Sequence, residues 1–180
     1  VFTQAQPEKR VIDVQGNFLA SVEPNQVELI AGFENEASTA QEAQQKNAQV
    51  MQAVREALFA KGLDKGDIET SFFSVEAVRE YDEKNRRSFV TGFKAIHLIK
   101  VKSKEVPKAG EFIDAIVVAG ANRVDSISFT LSEEKQIEWR KTALEKAGLN
   151  AREKAQAIAG SLGVRIVALN RASEQFFEVT

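Results

Sequence analysis

Between Ala40 and Leu58 the apolar positions return every three or four residues: Ala40, Ala43, Val50, Met51, Val54, Ala57 and Leu58, with Asn47 on the same stripe. Gln, Glu, Lys and Arg fill the opposite side, so the spacing predicts an amphipathic helix. Ser38 or Thr39 starts it, with Ser38 the expected N-cap and Gly62 the expected stop. Upstream, Val27, Leu29, Ala31 and Phe33 alternate with Gln26, Glu28, Ile30 and Gly32, the form of a half-buried strand. Downstream, Ile68–Tyr81 and Ser88–Lys102 are strand-like and flank the polar EKNRR connection, which predicts a long antiparallel hairpin. In its second arm Phe93, Ala95, His97, Ile99 and Val101 share one face while Ile96 and Leu98 occupy the other, as expected of a central strand.

The pattern then returns to helical spacing. Pro107 suits a first helical turn, the stripe is Val106, Ala109, Phe112, Ile113, Ile116 and Val117, and Gly120 with Asn122 ends it. A strand follows from Val124 to Leu131. Ser132, Glu133 and Glu134 open a third helix, with acids at its positive end, running to about Leu162. Its expected inner face is Ile137, Leu144, Ala147, Ala151, Ala155, Ile158 and Leu162, and Gly148 with Asn150 predicts a kink or short break. A last short strand is expected at Val164, Ile166 and Ala168, with the FFEV stretch extending the sheet. At the other end, residues 1–10 form a loose lead-in, and Val11, Val14 and Phe18 around Gly16 predict a short strand broken by a bulge or turn.

The element order is therefore β–α–β–β–α–β followed by α–β. This is an α+β, ferredoxin-like arrangement of mixed or antiparallel sheet with an additional long C-terminal helix and short strand. The stretches 27–80 and 90–131 repeat element order but no residue pattern. No Pro-, Gly- or Ser-rich linker interrupts residues 11–180, which are expected to form a single domain.

Composition narrows the function classes. The 180 residues carry a formal net charge of -2, with both signs interspersed, so no large basic field exists to neutralise phosphates and no nucleic-acid partner is expected. The absence of cysteine removes disulfides, thiol catalysis and thiolate metal sites. No apolar run approaches the roughly 18 residues of a membrane span. Val1 stands where Met would begin a chain, the start expected after removal of a signal peptide and equally that of a cloned fragment.

Candidate chemistry is sparse. His97 is the single histidine and sits among apolar strand neighbours, where a satisfied core residue is far more common than a ligand or base. Asp64, Asp67 and Glu69 around Gly66 lack the spacing of a calcium loop and are expected in a turn. Lys84, Arg86 and Arg87 make a small basic tip on the hairpin, read first as a solvated turn. Neither GxGxxG, GxxxxGK[ST] nor GxSxG occurs, and one methionine, Met51, is too few for sacrificial oxidant scavenging. No catalytic, cofactor-binding or metal residue is assigned, and no cofactor is expected.

Taken in order, several segments resemble the SIMPL (DUF541) domain family, which includes bacterial oxidative-stress defence proteins and periplasmic immunogenic proteins. VQGNFLASVEPNQVEL is similar to that family's opening, with Gly16 and Pro24. STAQEAQQKNAQVMQAVREAL is similar to its first helix, and KGLDKGDIETSFFSV to the helix stop and strand through Gly62, Asp67, Ile68 and Thr70. Tyr81 and VTGFKA, with Phe93 in the aromatic place, AGANRVDSISFTLS through Gly120, Asn122, Ile127 and Phe129, and AREKAQAIAGSLGV closing on Leu162 and Gly163 complete the match. The resemblance covers about Val11 to Val167. GLN at 148–150 and the charged SKEVPK entry to helix two depart from the pattern.

The resemblance implies a non-enzymatic protein exported to the periplasm or cell envelope, associated with oxidative-stress defence, in a family where some members assemble into large rings. A homo-oligomer is the expected state, with contacts through sheet edges, the hairpin or the long helices. The alternative is a small-ligand or peptide-binding module using a groove between sheet and helix.

Overall fold

The computed structural model describes residues 10–174 and divides into two compact units, Pro24–Ser132 and the segments that precede and follow it. In the first unit the elements are β1 (Gln26–Ala37), α1 (Ala40–Ala60), β2 (Ile68–Asp82), β3 (Arg87–Ser103), α2 (Ala109–Val118) and β4 (Arg123–Thr130). The sheet order is β2-β3-β1-β4, and every neighbouring pair is antiparallel. Each crossover helix thus carries the chain past one strand: α1 from β1 over β3 to β2, and α2 from β3 over β1 to β4. This is the split βαβ arrangement of a ferredoxin-like fold, as the element order predicts.

The alternation in β1 and β3 sends Val27, Leu29, Ala31, Ile99 and Val101 to one face, where they pack with Met51, Val54 and Leu58 of α1 and Phe112 and Ile116 of α2. All are nearly inaccessible to water, which at roughly 25 cal/mol per Å² of apolar area supplies the main drive for folding. Of the two expected starts of helix α1, the second is used. Thr39, not Ser38, is the N-cap, because Glu42 three residues on completes a capping box: Thr39 Oγ1 accepts from Glu42 N–H, and Glu42 Oε2 accepts from Thr39 N–H, both at 3.2 Å. Gly62 ends the helix with φ of 93°, a conformation open to glycine.

Two irregularities position β1. A bulge shifts its register with β4 between Ile30 and Ala31. At Gly32 an added Cβ would fall 1.9 Å from the His97 carbonyl oxygen, so only glycine permits this approach of β1 to β3. Asn122, just after α2, then acts as a strand residue through its side chain. Its Nδ2 donates to Glu34 O at 2.8 Å, and its Oδ1 accepts from Glu34 N–H at 2.9 Å.

Strands β2 and β3 remain paired out to Asp82 and Arg87, whereas β1 leaves β3 at the Ala37–Phe93 pair. Beyond that pair the hairpin continues as a two-stranded arm, roughly 15 Å long at about 3.3 Å per residue.

The second unit contains α3 (Glu133–Ser161) and the irregular segment 10–23. That segment lies on α3. Lys154 Nζ donates to Gln15 O at 2.9 Å and Asn17 Oδ1 at 3.1 Å, and a Cβ on Gly16 would meet Ala147 O at 2.0 Å. The expected strand through Val11, Val14 and Phe18 is therefore absent; Gly16 serves a close approach to a helix, not a bulge. Helix α3 is unbroken at Gly148 and Asn150, since one glycine costs only about 1 kcal/mol in a long helix. Val164, Ile166 and Ala168 lie in irregular chain with no strand partner among the described residues, and FFEV (176–179) lies outside the described residues.

Candidate functional site

His97 lies on the helix-facing side of β3. Its Nε2 is 3.2 Å from Thr70 Oγ1, and its ring meets Phe73 edge-on with centroids 5.4 Å apart. Arg55 Nη2 donates to the same Thr70 oxygen at 3.2 Å, which leaves the hydroxyl proton for the imidazole. Burial pushes the His97 pKa down, and the positive charge of Arg55 adds to the effect. The ring is thus a neutral, hydrogen-bonded strand residue. Among the described residues no carboxylate is paired with it to orient it as a base.

The most enclosed polar group is an amide that sequence reading placed on a helix stripe without a role. Asn47 is fully buried, and its Nδ2 reaches Phe33 O at 2.9 Å, Asn35 Oδ1 at 3.2 Å and Ala95 O at 3.4 Å. Asn35 in turn donates from Nδ2 to Ala43 O at 3.0 Å. The two amides fasten α1 to β1 and β3. Among the described residues Asn47 Oδ1 has no hydrogen-bond partner. The signal in the sequence was a polar residue on an apolar stripe, but its partners are strand carbonyls that periodicity does not reveal.

On the other face of the sheet, charges bridge three strands. Glu34 on β1 pairs with Lys94 on β3 and, at 3.1 Å, with Arg123 on β4, whose guanidinium also grips Asp125 at 2.8 Å. The hydrogen bond from Lys94 leads the causes that hold Glu34 below the usual carboxylate range, and Asp125 leads those that raise Arg123. The arrangement is a ladder of fixed, mutually satisfied charges.

The remaining sequence candidates serve local structure. Asp67 Oδ2 accepts from Asp64 N–H at 2.8 Å in a turn, and Glu69 sits 3.6 Å from Lys102. At the hairpin tip Asp82 accepts from the backbone N–H groups of Lys84 and Asn85 and from the Asn85 side chain, which leads the lowering of its pKa. Arg86 holds φ of 50° in this turn. Among the described residues no three His, Asp or Glu side chains converge on a metal-sized point. A shallow, open groove of about 410 Å³ at the start of α1 is lined by Glu36, Ala37, Ser38, Glu42, Gln45 and Lys46.

Comparison with known proteins decides the family. The family described as SIMPL, protein of unknown function (DUF541), matches residues 12–178. The chain belongs to the SIMPL family. It is 26% identical over 167 residues to the 26 kDa periplasmic immunogenic proteins of Brucella melitensis and Brucella abortus. That alignment covers 90% of this chain and 66% of each relative, so the chain spans just under two thirds of their length.

The residues that carry the SIMPL resemblance have structural duties. Gly62 and Gly120 take positive φ at helix ends, Asn122 completes the β1–β4 pairing, and Gly16 admits the close approach to α3. Several large apolar side chains also lie on the surface. Phe72, Phe73, Tyr81, Phe89, Val90, Val124, Ile127 and Phe129 are each 41–59% exposed, and no helix among the described residues is long and apolar enough to cross a membrane.

Proposed function

We propose that this SIMPL protein is a non-enzymatic, self-assembling component of the cell envelope associated with defence against oxidative stress. Family membership and the periplasmic relatives support export to the periplasm. Helix α3 carries the self-assembly reading. It runs for 29 residues and buries only Ala159, while Ile137, Leu144, Leu149 and Ile158 remain 40–64% exposed. Ile137, Leu144 and Ile158 were expected on an inner face, yet among the described residues they stay 40–64% exposed. A soluble helix with an uncovered apolar series is stabilised by finding a partner surface, and a second copy of the chain is always at hand. The hairpin arm points the same way, because a two-stranded ribbon is marginal in water on its own.

The test is absolute mass in solution, by size-exclusion chromatography with light scattering across a wide concentration range. A discrete high-order mass is expected. A monomer throughout sinks the reading and turns attention to a small-ligand or peptide-binding module, which the shallow groove beside α1 supports only weakly. The stress association is tested by oxidant survival of cells lacking the protein, which falls if the association holds.

A further inference from the structure

Strands β2 and β4 are the two ends of the sheet, and among the described residues each pairs on one side only, β2 with β3 and β4 with β1. A free strand edge is normally blunted by lysine, proline or an inward charge. Here each edge strand carries one bulge, at Ser71 in β2 and at Asp125 in β4, but neither has a charge or proline along its middle. Residues 70–75 of β2 read Thr-Ser-Phe-Phe-Ser-Val, and residues 126–130 of β4 read Ser-Ile-Ser-Phe-Thr, with no charge or proline in either. The charges that β4 does carry, Arg123 and Asp125, are engaged with each other and with Glu34 at its beginning.

The two edges also match in face and direction. Phe73 pairs in register with His97 and Ile127 with Leu29, so both belong to the side of the sheet that carries the helices. Both are half exposed: Phe73 by 49% and Ile127 by 41%. Because every neighbouring pair in the order β2-β3-β1-β4 is antiparallel, β2 and β4 run in opposite directions. A β2 edge laid against the β4 edge of another copy in the same orientation is therefore antiparallel too, and the alternation continues across the junction. With Phe73 opposite Ile127, Phe72 faces Ser128 and Ser74 faces Ser126, so this stretch contains no charged pair.

Resting on the self-assembly reading above, we propose that copies of this chain join head to tail by strand addition, the β2 edge of one docking on the β4 edge of the next. Backbone hydrogen bonds supply the attraction, and Phe73 against Ile127 sets the register. The contact is heterologous: each copy uses one edge to give and the other to receive, which produces rings or filaments and not a two-fold dimer.

Two variants test it, Phe73→Glu on β2 and Ile127→Glu on β4, each placing a charge at a position already exposed to water. Each variant alone is expected to run as a monomer in light scattering, with the circular dichroism of the parent. An equimolar mixture is expected to form a heterodimer, because the first retains an intact β4 edge and the second an intact β2 edge. Formation of that heterodimer also shows both variants to be folded. Three results overturn the proposal. Assembly of either single variant at the parental mass removes the edges while leaving self-assembly intact. Phe73→Glu dimerising alone, with Ile127→Glu monomeric, replaces it by a two-fold β4–β4 contact. Folded variants that stay monomeric when mixed remove complementary edges altogether. A monomeric parent protein fails the self-assembly reading itself.

Discussion

Replacing Asn47 by alanine isolates the amide that ties α1 to the sheet. The side chain is fully buried, and its Nδ2 serves Phe33 O, Ala95 O and Asn35 Oδ1. A hydrogen bond contributes on the order of 1 kcal/mol net, and a buried acceptor stripped of its donor costs about 1–3 kcal/mol. The Ala95 contact, at 3.4 Å, is the weakest of the three and adds little. Asn35 Oδ1 is the group left orphaned, so the variant is expected to lose about 3 kcal/mol. That is a large part of the roughly 5–15 kcal/mol that holds a domain folded. Urea unfolding at fixed protein concentration measures it, with the slope unchanged and the midpoint lowered. Asn35→Ala combined with Asn47→Ala leaves no orphan between them, so the double variant should lose less than the two single losses added together, by at least about 0.5 kcal/mol. A single-variant loss below about 1 kcal/mol, or strict additivity, refutes the reasoning.

Three further outcomes follow from local geometry. Gly32→Ala drives a Cβ to within 1.9 Å of the His97 carbonyl oxygen and is expected to lower stability by about 1–3 kcal/mol, seen as a lower Tm, whereas Gly66→Ala, with open space around it, is not. Thr39→Ala removes one half of the α1 capping box and should cost about 1 kcal/mol in urea unfolding, with Thr39→Ser recovering most of it. His97 has a folded pKa below its ordinary value of 6.5, so the unfolded chain binds the proton more readily. Its contribution to stability is complete above 6.5 and falls as the pH is lowered from there through the depressed folded value; a His97→Gln variant should lack that component of the pH profile.

Much of the fold was legible because its signals are local. The β2 and β3 limits fall within a residue of the alternating runs, and the α1 stripe of Ala43, Asn47, Met51, Val54 and Leu58 is the buried face. Turn chemistry also reads locally: Gly62 and Gly120 stop helices because positive φ suits glycine. The α+β class and the β–α–β–β–α–β order with the long helix after it follow from those signals alone, whereas the last short strand expected at Val164, Ile166 and Ala168 did not form.

The tertiary structure decided whatever depends on a distant partner. Val11, Val14 and Phe18 have strand composition, yet their segment lies on α3 in irregular form, because β preference is fulfilled only where another strand offers a ladder. Gly16 announces a close approach but not that Ala147 is the neighbour. Asn47 reads as a flaw in a stripe until Phe33 O and Asn35 stand opposite it. Hydrophobic spacing marks which side of α3 is apolar, but not whether anything in the same chain covers it; Ile137, Leu144 and Ile158 stay exposed. Periodicity along a chain records the geometry of one element, whereas burial and pairing are set by residues far away in sequence, and those became visible only when the strands were brought side by side.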